Sequence, residues 1–94
     1  MPDLGTTLLT LARNAIAARF GLPAAPVAVD LPELYEMGAT FVTLTRHGDL
    51  RGCIGSLEAR RLLLKDVQEN AGSAAFRDPR FEPLSADEWP LTRV

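Results

Sequence analysis

Apolar residues recur along the first twenty positions with a helical period. Leu9, Ala12, Ile16 and Phe20 fall on one stripe, and Leu8, Leu11 and Ala15 widen it. The spacing predicts a helix over 6–20, with Thr6 or Asp3 capping its start and Gly21 ending it in a left-handed conformation. Pro23, Pro26 and Pro32 then hold 22–31 extended or turned. A short helical turn is expected over 31–35. The period changes to that of a strand at Thr40, where a β-branched and aromatic run begins and continues to Thr45. A second strand follows over 49–54. A three-residue loop ending in left-handed Gly48 pairs Thr45 with Asp49, Thr43 with Arg51 and Phe41 with Cys53. Val42, Leu44, Leu50, Gly52 and Ile54 then share a core face. Phe41, Thr43, Thr45, Asp49, Arg51 and Cys53 share the other. A two-residue His47-Gly48 loop would mix these faces, so the longer loop is preferred.

Helical periodicity returns within 56–76 after a short lead-in, with Leu63, Val67, Ala71 and Ala74 marking the stripe. Asp78-Pro79 ends it, because a residue before proline is pushed out of the helical region. Ser85-Ala86-Asp87-Glu88 matches a capping box and predicts a helical turn that Pro90 limits. A last strand is expected to begin at Leu91. Leu9, Phe20, Leu63, Val67 and Trp89 are assigned to the core. Two helices and two or three short strands make an α+β domain, its helices packed on a small, mostly antiparallel sheet around a central hairpin.

Composition narrows the function classes. With 94 residues the chain forms a single domain over 1–94. Hydrophobic residues at 47% and charged residues at 23% fit an ordinary globular protein. A net charge of −2 supplies no field that would recruit nucleic acid or an anionic membrane. No run approaches the ~18 apolar residues of a membrane span. One cysteine excludes an internal disulfide, and one histidine beside it leaves no transition-metal set, so no cofactor or metal is expected. Glu58, Asp66 and Glu69 are not spaced as metal ligands. Asp3 and the lack of a basic leader argue against a signal peptide, and a cytoplasmic setting is expected.

The candidate chemistry lies in Leu50-Arg51-Gly52-Cys53-Ile54-Gly55. Arg51 and Cys53, two apart on a strand, are expected on one face, where a guanidinium would favour the thiolate. Gly52 and Gly55 leave room either for a ligand or for close packing of another backbone. The lone His47 falls in the hairpin loop, about 15–20 Å along the strand from Cys53, too far for a catalytic dyad. Arg77-Asp78-Pro79-Arg80-Phe81 sets two cations around a turn, either as an anion site or as a local brace that carries Phe81 inward. Arg60, Arg61 and Lys65 form a small basic strip, read as surface charge or a weak anion contact.

Phe41-Val42-Thr43-Leu44, the spacing to the hexapeptide, and Phe76-Arg77-Asp78-Pro79-Arg80-Phe81-Glu82-Pro83-Leu84 together resemble the AMMECR-domain family over residues 8–94. The resemblance implies a two-lobed α+β domain with the hexapeptide near the cleft between the lobes. It also implies a chain corresponding to the N-terminal part of that domain, apparently truncated. In prokaryotes the family is associated with a MEMO-like protein and a radical SAM protein, so a protein partner of that kind is expected.

Two functional readings follow. In one, the chain is a partner module whose hexapeptide face docks another protein. In the other it is a thiol-dependent enzyme or substrate-binding subunit. There Cys53 is the reactive group, Arg51 its anion contact, and Thr43, Gly52, Gly55, Arg77 and Arg80 contact substrate. An unpaired sheet edge would also favour a homo-oligomer.

Overall fold

The computed structural model describes residues 3–94. Helix α1 covers Leu4–Arg19. Asp3 caps it, its carboxylate accepting from the Thr6 amide at 2.8 Å, and Gly21 follows with φ 72°. The proline-rich stretch is tied back to α1 by Asn14, which donates to the Ala25 carbonyl and accepts from the Ala25 amide, both at 2.9 Å. A 3-10 turn over Pro32–Tyr35 drops Leu34 into the core.

Five strands follow the turn: β1 (Met37–Gly38), β2 (Phe41–Arg46), β3 (Asp49–Gly55), β4 (Arg61–Leu62) and β5 (Thr92–Arg93). They form a β1–β4 ladder and a three-stranded antiparallel sheet in the order β3-β2-β5. Helix α2 (Leu63–Phe76) packs against α1 and against β2 and β3. The core lies between these layers, built from Leu11, Ile16, Leu34, Val42, Leu44, Val67 and the small residues Ala71, Ala74 and Ala75.

The hairpin differs from the expected one. Its loop has two residues, His47 at φ 53° and Gly48 at φ 82°, and Arg46 pairs with Asp49. Two consecutive positive φ angles make the turn whose twist matches a two-stranded ribbon. Thr45 pairs with Leu50, whereas Leu44 pairs with Gly52. Arg51 is therefore an extra residue, a β-bulge. The bulge does what the longer loop was invoked to do: beyond it Val42 and Leu44 share the core side with Ile54, while Thr43 faces Cys53. On the turn side of the bulge Leu50 is left exposed. Leu9, assigned to the core, is also exposed, because α1 buries the flank carrying Leu11, Ala12 and Ile16.

The second helix starts at Leu63, seven residues later than the periodic stretch begins. Arg61 and Leu62 are instead extended against Gly38 and Met37, and the Leu63 amide donates to the Glu36 carbonyl at 2.8 Å. At the far end, Phe20 meets Phe76 edge-on at 5.6 Å and Trp89 at 6.5 Å, so these rings seal the helix ends as half-buried residues.

Gly52 is where β3 comes closest to α2: a Cβ added there would lie 2.2 Å from the Ala74 carbonyl oxygen. Backbone cannot yield as a side-chain tip can. Gly52→Ala is expected to lower stability by about 2–3 kcal/mol, the upper part of the overpacking range, read as a fall in urea midpoint. His47→Asn, which suits the left-handed position better, is expected to raise stability by about 0.5 kcal/mol in the same assay.

Candidate functional site around the hexapeptide strand

The bulge delivers Arg51 into a buried cluster. Its Nε donates to Glu88 Oε2 at 2.8 Å, and its Nη2 donates to the Glu82 carbonyl at 2.6 Å and to Glu88 Oε1 at 3.2 Å. The guanidinium lies over the Phe81 ring at 5.6 Å, and its Nη1 is buried without a hydrogen-bond partner. Arg46 adds a second cation, donating to Glu88 at 2.9 Å. The Arg51 hydrogen bond holds Glu88 well below the usual carboxylate range, down to about 2, against the opposing effect of burial. Glu88 owes its place to the capping box, in which its amide donates to Ser85 Oγ and its carboxylate accepts from the Ser85 amide, each at 3.3 Å.

Cys53 lies opposite Thr43, with Thr43 Oγ1 and Cys53 Sγ 3.3 Å apart. The thiol is free and half-buried. None of the Arg51 hydrogen bonds reaches it. The Cys53 backbone is gripped from the turn after α2: its amide donates to Asp78 Oδ2 at 3.0 Å, and its carbonyl accepts from Arg80 Nη2 at 3.4 Å. Arg80 also donates to Asp78 at 2.8 and 3.1 Å. These hydrogen bonds, from Arg80 first and the Cys53 amide next, hold the Asp78 carboxyl far below its usual range. Asp78, itself buried, is thus the brace that carries Phe81 inward against Arg51.

The turn's two cations part company. Arg77 folds back along α2 to Ser73 at 2.8 Å and Glu69 at 3.8 Å, whereas Arg80 serves Asp78 and β3. The space beside both glycines is filled, by the Ala74 carbonyl at Gly52 and by the Phe41 ring at Gly55, where an added Cβ would lie 2.1 Å from the ring. Phe41 pairs with Gly55 across the hairpin and covers it. His47 stays in the turn, at the opposite end of β3 from Gly55.

A second buried polar cluster escaped the sequence reading. Asp66 accepts from the Thr40 amide at 2.6 Å, Thr40 Oγ1 at 2.8 Å, Ser56 Oγ at 2.7 Å and Arg61 Nε at 2.9 Å. Asn70 joins it, donating to the Thr40 carbonyl at 3.0 Å. Burial pushes the Asp66 carboxyl up, but the hydrogen bonds from Ser56, Arg61 and Thr40 outweigh it, and the group stays charged below its usual range. Arg61 is thereby part of the fold, and Arg60 pairs with Glu58 at 2.9 Å. The available signal was Asp66 and Asn70 at i and i+4 on an otherwise apolar helix face. Among the described residues no group of three or more His, Cys, Asp or Glu is arranged to hold a metal. Among the same residues no helix is long and apolar enough to cross a membrane.

The hexapeptide and the Arg-Asp-Pro-Arg-Phe turn thus form one unit, held by Asp78 and Arg80. A family model, AMMECR1, matches residues 9–94. The chain belongs to the AMMECR1 family. A protein of Methanococcoides burtonii is 41% identical over 85 residues, spanning 89% of this chain and 42% of that protein. One of Sulfolobus acidocaldarius is 42% identical over 95 residues, spanning 92% of this chain and 40% of its own length. The crystal structure of the uncharacterized protein PH0010 from Pyrococcus horikoshii superposes with a TM-score of 0.70 at 34% identity, over 86% of this chain and 43% of that one. The chain therefore spans about two fifths of the length of the AMMECR1 relatives it matches and shares their α+β fold.

The Glu88–Arg51 pair makes stability depend on pH. Unfolded, Glu88 titrates near its ordinary 4.5; folded, near 2. Its contribution is present above pH 4.5 and disappears as pH falls toward 2. Glu88→Gln is expected to cost about 1–3 kcal/mol at pH 7, since Arg51 loses its charged partner. The gap between wild type and Glu88→Gln should narrow as chemical denaturation is repeated from pH 4.5 down to 2.

Proposed function

We propose that this AMMECR1 chain is a non-catalytic partner module, docking a MEMO-like or radical SAM protein through the face around Phe41 and Gly55. The observation that carries this reading is the state of the charged groups beside Cys53. Arg51 is spent on Glu88 and Glu82, Asp78 and Arg80 are spent on each other and on the Cys53 backbone, and the lone histidine sits in the turn. A nucleophilic thiol needs a free base or an uncompensated cation, and neither adjoins it. The same end of the hairpin displays large apolar side chains: Phe41 is 63% exposed, and Leu57, two residues after Gly55, is 91% exposed. A large aromatic and a leucine held out on a braced strand suit an interface anchor better than a solvated surface.

The second reading, a thiol-dependent enzyme or substrate-binding subunit using Cys53 with Arg51 as anion contact, draws support from the half-exposed free thiol beside Thr43 Oγ1.

Calorimetric titration of the chain with the MEMO-like and the radical SAM protein of the same genome tests the first reading. Phe41→Ser and Leu57→Ser are expected to weaken binding by at least ~tenfold, and Cys53→Ser to leave it unchanged, with thermal melts confirming folding. Absence of binding to both proteins would sink it. Native Cys53 alkylation with an apparent pKa well below the ordinary ~8.5 would move the assignment to the thiol chemistry.

A further inference from the structure

One donor of the Arg51 cluster is left over. Arg51 is only 8% exposed, and its Nε and Nη2 are committed to Glu88 and to the Glu82 carbonyl. Its Nη1 is enclosed without a hydrogen-bond partner, alone in this among the buried side-chain nitrogens and oxygens of the described residues. A guanidinium nitrogen in that state has given up water and gained no acceptor in return. Such orphans are rare in native proteins and call for an explanation.

The bulge supplies the setting. On a regular strand Leu50 and Arg51 would point to opposite faces. Here both line one cavity of about 420 Å³, between the hairpin turn and the stretch after α2. Re-aiming a side chain toward a site is a common use of a bulge. Leu50 and Phe81 give the cavity apolar walls. Its charged walls set two guanidiniums, on Arg46 and Arg51, against three carboxylates, on Asp49, Glu82 and Glu88. Glu88 is consumed by both arginines, whereas Asp49 and Glu82 are exposed and enter no ion pair among the described residues. Even with the neighbouring His47 protonated, the walls carry no positive excess. An anion is therefore a poor match for the leftover donor, and a neutral acceptor is a good one.

We propose that this cavity binds a small neutral amide or lactam, its carbonyl oxygen accepting from Arg51 Nη1 and its N–H donating to Asp49 or Glu82. The carbonyl supplies the missing acceptor without adding charge, and the adjacent N–H uses a carboxylate that no cation holds. The rest of the ligand lies against Leu50 and Phe81, the apolar walls that a cavity of this size offers a small molecule. The Phe81 ring, half-buried and 5.6 Å from the Arg51 guanidinium, is the side chain that pivots to admit the carbonyl. The site stands apart from Cys53 and from the Phe41 and Leu57 anchors, and it rests on neither functional reading.

The test is NMR of the whole chain carrying isotope-labelled arginine, titrated with δ-valerolactam. Two probes of similar size serve as comparisons: cyclopentanecarboxylate, an anion, and tetrahydropyran, a ring without the amide. The lactam is expected to bind at millimolar strength, shifting the Arg51 guanidinium resonances saturably and slowing exchange of its Nη1 protons. The other two probes should leave Arg51 unmoved. Asp49→Asn combined with Glu82→Gln, both at exposed positions, should weaken the lactam at least ~threefold by removing the charged acceptors of its N–H. No response of Arg51 to the lactam, an equal response to tetrahydropyran, or tighter binding of the carboxylate would overturn the proposal. So would lactam binding that the double variant leaves unchanged.

Discussion

One extra residue in β3 organises this domain. A two-residue turn alone would set Leu44 opposite Arg51 and offer a guanidinium to the core. The bulge at Arg51 absorbs that mismatch, restoring Leu44 to Gly52 and Thr43 to Cys53. It also commits the protein to burying an arginine, which is costly unless the charge is paired and hydrogen-bonded. Glu88 and the Glu82 carbonyl meet that requirement from a segment more than thirty residues away. The stretch after α2 is therefore held to the hairpin by the hairpin's own irregularity.

The same logic runs along the rest of β3. Its outward backbone groups at Cys53 are satisfied by Asp78 and Arg80, so the turn after α2 closes one sheet edge while Phe81 covers the Arg51 guanidinium. Gly52 lets α2 approach the strand, and Gly55 receives the Phe41 ring. Within the hexapeptide, Arg51, Gly52, Cys53 and Gly55 are thus each committed to packing or to hydrogen bonds with other segments.

At the other end of α2, Asp66 and Asn70 perform for β1, β2 and the β3–β4 connection what Glu88 and Asp78 perform for β3. A buried carboxylate with five donors is far more stable than an unpaired one, and it ties Thr40, Ser56, Arg61 and Asn70 into one knot. Three buried or half-buried carboxylates thus pin loops that have little apolar surface of their own, a sensible arrangement for a small core rich in alanine.

Much of the architecture was legible from local pattern. Asp3 as cap, Gly21 as helix terminator, the Ser85–Glu88 capping box, the stop at Asp78-Pro79 and the strand starting near the end all follow from interactions spanning a few residues. The family was legible too, because its motifs are contiguous. The hairpin register was not: turn length and bulge compensate one another, and only packing against α2 at Gly52 chooses between them. Nor was Leu9 legible as exposed, since the stripe of α1 is broad enough to roll either way and only docking on α2 decided it. The fates of Arg51, Asp66 and Asp78 belong to tertiary structure for one physical reason. A buried charge is set by partners distant in sequence, and no local period records where those partners will be.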